Sequence, residues 1–163
     1  RVKRSASSRK NFLMRILALG AFFIAVLGCG TMIGLVIHPD EWYAGLAKAS
    51  FNPPNWLFAP VWTVLYVMIA VAGWHVWQRA GLRSTSMKLW LAQIALNFAW
   101  TPVFFGAHRP FAALVIILAL LAAIFAFIVA AWPRDRTAAC LFVPYALWVA
   151  FATALNGAIV TLN

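Results

Sequence analysis

Five stretches of the chain, roughly 16–37, 56–77, 89–107, 111–132 and 138–162, contain no Asp, Glu, Lys or Arg. All charged side chains lie before or between them. A helix needs about 20 apolar residues to cross a hydrocarbon core roughly 30 Å thick. Within lipid every backbone N–H and C=O must be bonded inside the segment, so runs of this length predict membrane-spanning α-helices. None shows the charged outer face that an amphipathic helix of a soluble bundle would carry. The pattern therefore predicts an all-α integral membrane protein built as a five-helix bundle. The first run follows a basic flank, as a signal peptide would, but it is too long for an h-region. Gly34-Leu35-Val36 is also a poor cleavage site, so it reads as a retained span.

The breaks between runs are consistent with this. Residues 1–15 form a basic tail, Ser-rich and expected to be mobile over 1–11, ahead of a membrane domain at 16–163. The longest loop, His38 to Asn55, holds both Asp40 and Glu41 and ends in Asn52-Pro53-Pro54-Asn55, which stops one helix and starts the next. The other loops are short, which predicts that consecutive helices are antiparallel neighbours. Pro60, Pro102 and Pro144 fall in or near the second, third and fifth spans, where each kinks its helix or helps open a cavity. In the first span Gly30 and Gly34 form a GxxxG pair, suited to close helix packing within the bundle or to a homodimer.

Composition adds direction. Hydrophobic residues make up 65% and charged residues only 10%, while the net charge is +10. Such a charge suggests nucleic acid until its distribution is read. Alternate loops on one side carry Arg1, Lys3, Arg4, Arg9, Lys10, Arg15, Arg79, Arg83, Lys88, Arg134 and Arg136; the other side has only Lys48 and Arg109. This is the positive-inside pattern, with the N-terminus cytoplasmic and the C-terminus outside. It favours a cytoplasmic membrane, an outer membrane being the alternative, with anionic lipid as the partner of the basic face and no role for nucleic acid.

Polar and aromatic residues inside spans mark candidate chemistry, because buried polar groups are costly in lipid. Trp62, Tyr66 and Gly73 share one stripe of the second span, Gln93, Asn97 and Thr101 one of the third, and Tyr145, Trp148, Ala152, Leu155 and Asn156 one of the fifth. Converging, they would wall an apolar, aromatic cavity with a few amides and hydroxyls, the usual make-up of a small-molecule pocket. Trp56, Trp77, Trp90 and Trp132 lie near span ends and read as interfacial anchors. No catalytic constellation emerges: the spans lack Asp and Glu, and His75 has no carboxylate or Cys near it in sequence. Cys29 and Cys140 stand alone in apolar runs, without metal or disulfide spacing.

Several motifs resemble the TspO/MBR family, which includes the translocator protein or peripheral-type benzodiazepine receptor. They are Glu41-Trp42-Tyr43; Phe51-Asn52-Pro53-Pro54-Asn55-Trp56; Ala59-Pro60-Val61-Trp62; and Leu65-Tyr66. Gln93, Leu96-Asn97, Trp100, Pro102-Val103-Phe104-Phe105-Gly106, Phe142-Val143-Pro144-Tyr145, Trp148, Ala150-Phe151-Ala152-Thr153 and Leu155-Asn156 follow in the same order and spacing. The resemblance implies a five-helix bundle, commonly dimeric, with a cavity roofed by the first loop. It implies ligands such as protoporphyrin IX and haem, with no required cofactor, for transport or regulation of tetrapyrroles. The alternative it offers is light- and oxygen-dependent porphyrin breakdown, with Trp62 and Trp148 as redox participants. Carried over by position, the ligand-facing residues would be Trp42, Tyr43, Phe58, Ala59, Val61, Trp62, Tyr66, Asn97, Trp148, Ala152 and Leu155. Two departures stand out. After Leu155-Asn156 the chain lacks the aromatic-then-basic pair of animal members, which removes support for sterol binding and favours the bacterial branch. A small residue near Ala112 replaces the family's Trp early in the fourth span.

Overall fold

The computed structural model describes the backbone of residues 2–163, and the side chains of residue 9 and of residues 12–163. The first span comprises α1 (Val2–Phe23) and α2 (Cys29–Val36), joined through a π-helical turn at Ile24–Gly28. A short α3 (Glu41–Gly45) lies in the first loop. The remaining spans are α4 (Phe58–Ala80), α5 (Thr85–Thr101), α6 (Pro110–Ala131) and α7 (Arg136–Leu162). A single 3-10 turn, Asn55–Leu57, leads into α4, and a π-helical turn, Pro102–Gly106, extends α5. By length and composition five segments can cross a membrane: Phe12–Val36, Asn55–Ala80, Thr85–Gly106, Pro110–Ala131 and Arg136–Leu162.

Helix α1 begins at Val2, ahead of the first apolar run.

Local chemistry explains the helix ends. Ser84 caps α5 by accepting from the Met87 N–H (3.2 Å), and Asp135 caps α7 by accepting from the Ala138 N–H (3.0 Å). Gly81 takes the positive φ of 75° that ends α4. Of the three prolines, Pro60 falls in the first turn of α4, where a missing N–H costs little. Pro102 opens the π-helical turn, whose Ala107 N–H reaches back to the Pro102 carbonyl at 2.8 Å. Pro144 lies inside α7 on an exposed face.

Neighbours around the bundle run first, second, fifth, fourth, third and back to the first. The second span packs more extensively on the fifth than on the third, contrary to the sequential arrangement that the short loops suggest. A short loop holds two helices together only at one end. Along their length the partner is chosen by side chains, here the buried set of Ile69, Phe127, Phe142, Tyr145 and Val149. Outside, large apolar residues such as Ile24, Leu35, Val64, Leu118, Val129 and Leu147 are exposed, as a lipid-facing surface requires.

The two glycines of the GxxxG pair have different surroundings within the chain. At Gly30 the ring of Tyr66 occupies the space where a Cβ would stand, whereas Gly34 has nothing within 4 Å. Gly30 thus admits an aromatic ring rather than a second backbone.

Candidate functional site

A cavity of about 510 Å³ opens among the spans beneath the first loop. That volume lies within the roughly 300–1,000 Å³ usual for small-molecule sites. Trp62 and Tyr66 of α4, Asn97 and Trp100 of α5, Phe104 of the π-helical turn, and Ala152 and Leu155 of α7 form much of its wall. Thr31, Gly34 and Leu35 on the first span, and Ala59 and Thr63 on the second, line it while remaining exposed. The opening therefore lies between the first two spans.

Its polar groups are held in fixed positions. Tyr66 Oη donates to Asn97 Oδ1 (3.2 Å), Asn97 Nδ2 donates to Tyr145 Oη (2.8 Å), and Tyr145 Oη donates to Gln93 Oε1 (3.0 Å). This chain links the second, third and fifth spans and leaves the Gln93 amide nitrogen buried without a partner. A second link runs from Trp100 Nε1 to Asn156 Oδ1 (3.1 Å), while Asn156 Nδ2 donates to the Pro110 carbonyl (2.9 Å). Hydrogen bonds between side chains of different spans fix their positions in an apolar interior.

The roof is α3. Asp40 caps it by accepting from the Tyr43 N–H (3.1 Å), and Lys48 Nζ closes its other end on the carbonyls of Tyr43 (2.7 Å), Leu46 (3.2 Å) and Ala44 (3.3 Å). Asp40 Oδ2 also meets His108 Nε2 at 2.9 Å, and Trp42 stacks on the His108 ring at 4.3 Å. His108 presents this face from a left-handed backbone, φ 53°. The first loop is thus fastened to the loop between the third and fourth spans.

The Tyr43 N–H, and then His108, hold the Asp40 carboxyl below its ordinary value of 3.8. A lowered carboxylate stabilises the docked loop fully above that ordinary value, and the contribution is lost as pH falls through the lowered one. Hydrogen exchange corrected for its intrinsic rate should show protection at Tyr43 and Ala44 disappearing in that acid range. In Asp40→Ala the protection should be weak at every pH. Equal protection in the variant at neutral pH would show that Asp40 does not hold the roof.

Of the residues expected to face a ligand, Tyr43, Phe58, Ala59, Trp62, Tyr66, Asn97, Ala152 and Leu155 line the cavity. Trp42, Val61 and Trp148 do not. Trp42 is taken up by His108 and Phe104, and Trp148 turns its ring against Phe58 (5.7 Å) and Phe151 (5.6 Å). Val149, one residue on, occupies the wall in its place. Val61 packs into the apolar core. Unforeseen wall residues include Thr31, Ile117, Leu120 and Ile159. The apolar members among them carry no signal that separates them from ordinary core.

His75 differs from its expected isolation: Nδ1 lies 3.2 Å from Asp135 Oδ2, which Arg79 Nε also meets at 3.1 Å. Sixty residues separate His75 from that carboxylate. Among the described residues no group of three or more His, Cys, Asp or Glu could hold a metal ion.

The TspO/MBR family model matches residues 21–162, from the first span to the end of the fifth. The chain belongs to the TspO/MBR family. Protein CrtK of Rhodobacter capsulatus is 36% identical over 150 residues, covering 90% of this chain and 94% of its own. The tryptophan-rich sensory protein of Cereibacter sphaeroides is 38% identical over 146 residues, covering 90% and 92%. Human translocator protein is also 38% identical over 146 residues, covering 85% of each chain. Identity alone therefore does not separate bacterial from animal relatives of this TspO/MBR chain.

Proposed function

We propose that the chain binds porphyrins, protoporphyrin IX or haem, in the cavity beneath the first loop, for transport or sensing of tetrapyrroles across a bacterial cytoplasmic membrane. The observation that carries this reading is the cavity itself: about 510 Å³, walled by Trp62, Tyr66, Trp100, Phe104 and Phe105, and open between two spans. A flat apolar macrocycle gains most from burial against aromatic faces. Asn52 and Asn55 add polar groups to the lining, with which its carboxylates can meet water and amides. The sensory wording of one relative's name agrees with a regulatory use of the bound ligand. The positive-inside rule supports an N-terminus in the cytoplasm, with eleven basic residues on that side. A homodimer in the membrane is compatible with this arrangement.

Titration of protoporphyrin IX into the detergent-solubilised protein, followed by tryptophan quenching, tests the reading. Trp62→Ala removes an aromatic wall and should weaken binding about tenfold, the equivalent of about 1.4 kcal/mol. Trp148→Ala should weaken it less, because that ring acts only through Phe58. Saturable binding unchanged in a folded Trp62→Ala variant would exclude this cavity as the site.

A further inference from the structure

The chain has three histidines, and the structure uses them unequally. His108 Nε2 is occupied by Asp40 at 2.9 Å and its ring is covered by Trp42. His75 is paired with Asp135. It lies nine residues beyond Tyr66 on α4, roughly 13 Å along the helix from the part that lines the cavity. His38 alone belongs to the cavity lining, and no carboxylate engages it among the described residues.

Its one hydrogen bond favours the tautomer with Nε2 free. Nδ1 faces the Pro39 carbonyl oxygen at 3.3 Å, an acceptor that requires the proton on Nδ1. The lone pair is then on Nε2. A backbone carbonyl on one ring nitrogen, leaving the other to a metal, is the arrangement that orients metal-binding histidines. The other candidate donors in the lining are weaker. Burial pushes the Tyr43 phenol up, against the phenolate that iron would need, and Tyr66 Oη is committed to Asn97. Neither cysteine lines the cavity.

We propose that His38 ligates the iron of a haem held in this cavity through Nε2, so that the site prefers iron porphyrin to the metal-free macrocycle. This rests on the porphyrin reading above and specifies its ligand. A neutral imidazole is a standard axial donor to haem iron. His38 lies at the junction of the first span and the first loop, on exposed backbone, so its replacement leaves the packed core untouched.

The test uses the full chain in detergent, titrated separately with ferric haem and with protoporphyrin IX, for wild type, His38→Ala and His75→Gln. Affinity is read with the absorption and electron paramagnetic resonance spectra. Wild type should bind both macrocycles and show a histidine-ligated haem spectrum. His38→Ala should bind ferric haem at least about tenfold more weakly and lose that spectrum, while its protoporphyrin IX affinity stays within about twofold. Added imidazole should restore the spectrum, and His75→Gln should retain it. Ferric haem bound by His38→Ala with unchanged affinity and spectrum overturns the ligation while leaving the cavity reading intact. Failure of wild type to bind either macrocycle overturns the cavity reading itself.

Discussion

Asp135→Ala should lower the thermal midpoint of the detergent-solubilised protein by roughly 5–10 °C, on the scale of 2–4 °C per kcal/mol for a chain of this size. The side chain is only 2% exposed and meets three partners from two helices. Oδ1 accepts from the Ala138 N–H that begins α7, and losing such a cap costs about 0.5–2 kcal/mol. Oδ2 receives Arg79 and His75 from the end of α4, joining the second span to the turn before the fifth. The arginine is 58% exposed, so solvent screens its share and the pair counts for well under a fully buried one. Cap and pair together give about 2–3 kcal/mol. Asp135→Asn keeps an acceptor for the cap and should recover part of the loss. Thermal unfolding followed by circular dichroism checks the order: wild type, then Asn, then Ala. An unshifted midpoint in Asp135→Ala would mean the cluster contributes nothing to the bundle.

Gly73→Ala should be comparably damaging, although helix propensity alone favours alanine by about 1 kcal/mol. An added Cβ would lie 2.5 Å from Trp90 Cε2 and 2.7 Å from its Nε1. That indole cannot easily retreat. Its Nε1 donates to the Ile69 carbonyl at 2.9 Å, and Phe22 packs its ring edge-on at 5.2 Å. Overpacking at such a site costs about 1–3 kcal/mol or more, enough to outweigh propensity. Gly157 provides the contrast, since nothing lies within 4 Å of its added Cβ. Gly157→Ala should therefore be neutral or stabilising in the same assay. Equal effects at the two glycines would contradict the packing assigned to Trp90.

The spans could be read directly from sequence because lipid imposes one simple rule: charge is confined to loops. The ring order could not, since it depends on which side chains fill which gaps over the whole helix length. The cavity shows the same division. Helical spacing placed Tyr145, Trp148, Ala152, Leu155 and Asn156 on one stripe, but the wall is made by Val149, Ala152, Leu155, Asn156 and Ile159. One residue is a rotation of about 100° on a helix, enough to turn Trp148 away onto Phe58. Trp42 was expected at a ligand and instead stacks on His108, from a loop 66 residues away whose approach no local pattern encodes. The same is true of His75 and Asp135. Gly30 carries a sequence signal for close approach, yet only the fold shows that an aromatic ring does the approaching, and Gly73, expected on the cavity-facing stripe, lies against Trp90 instead.

A structure of the protein bound to protoporphyrin IX tests the central claim most directly. The macrocycle is expected beneath α3, its faces against Trp62 and Phe104 and its edge near Asn97, Ala152 and Leu155. A macrocycle seated on the outer, lipid-facing surface, with this cavity empty, would contradict the account.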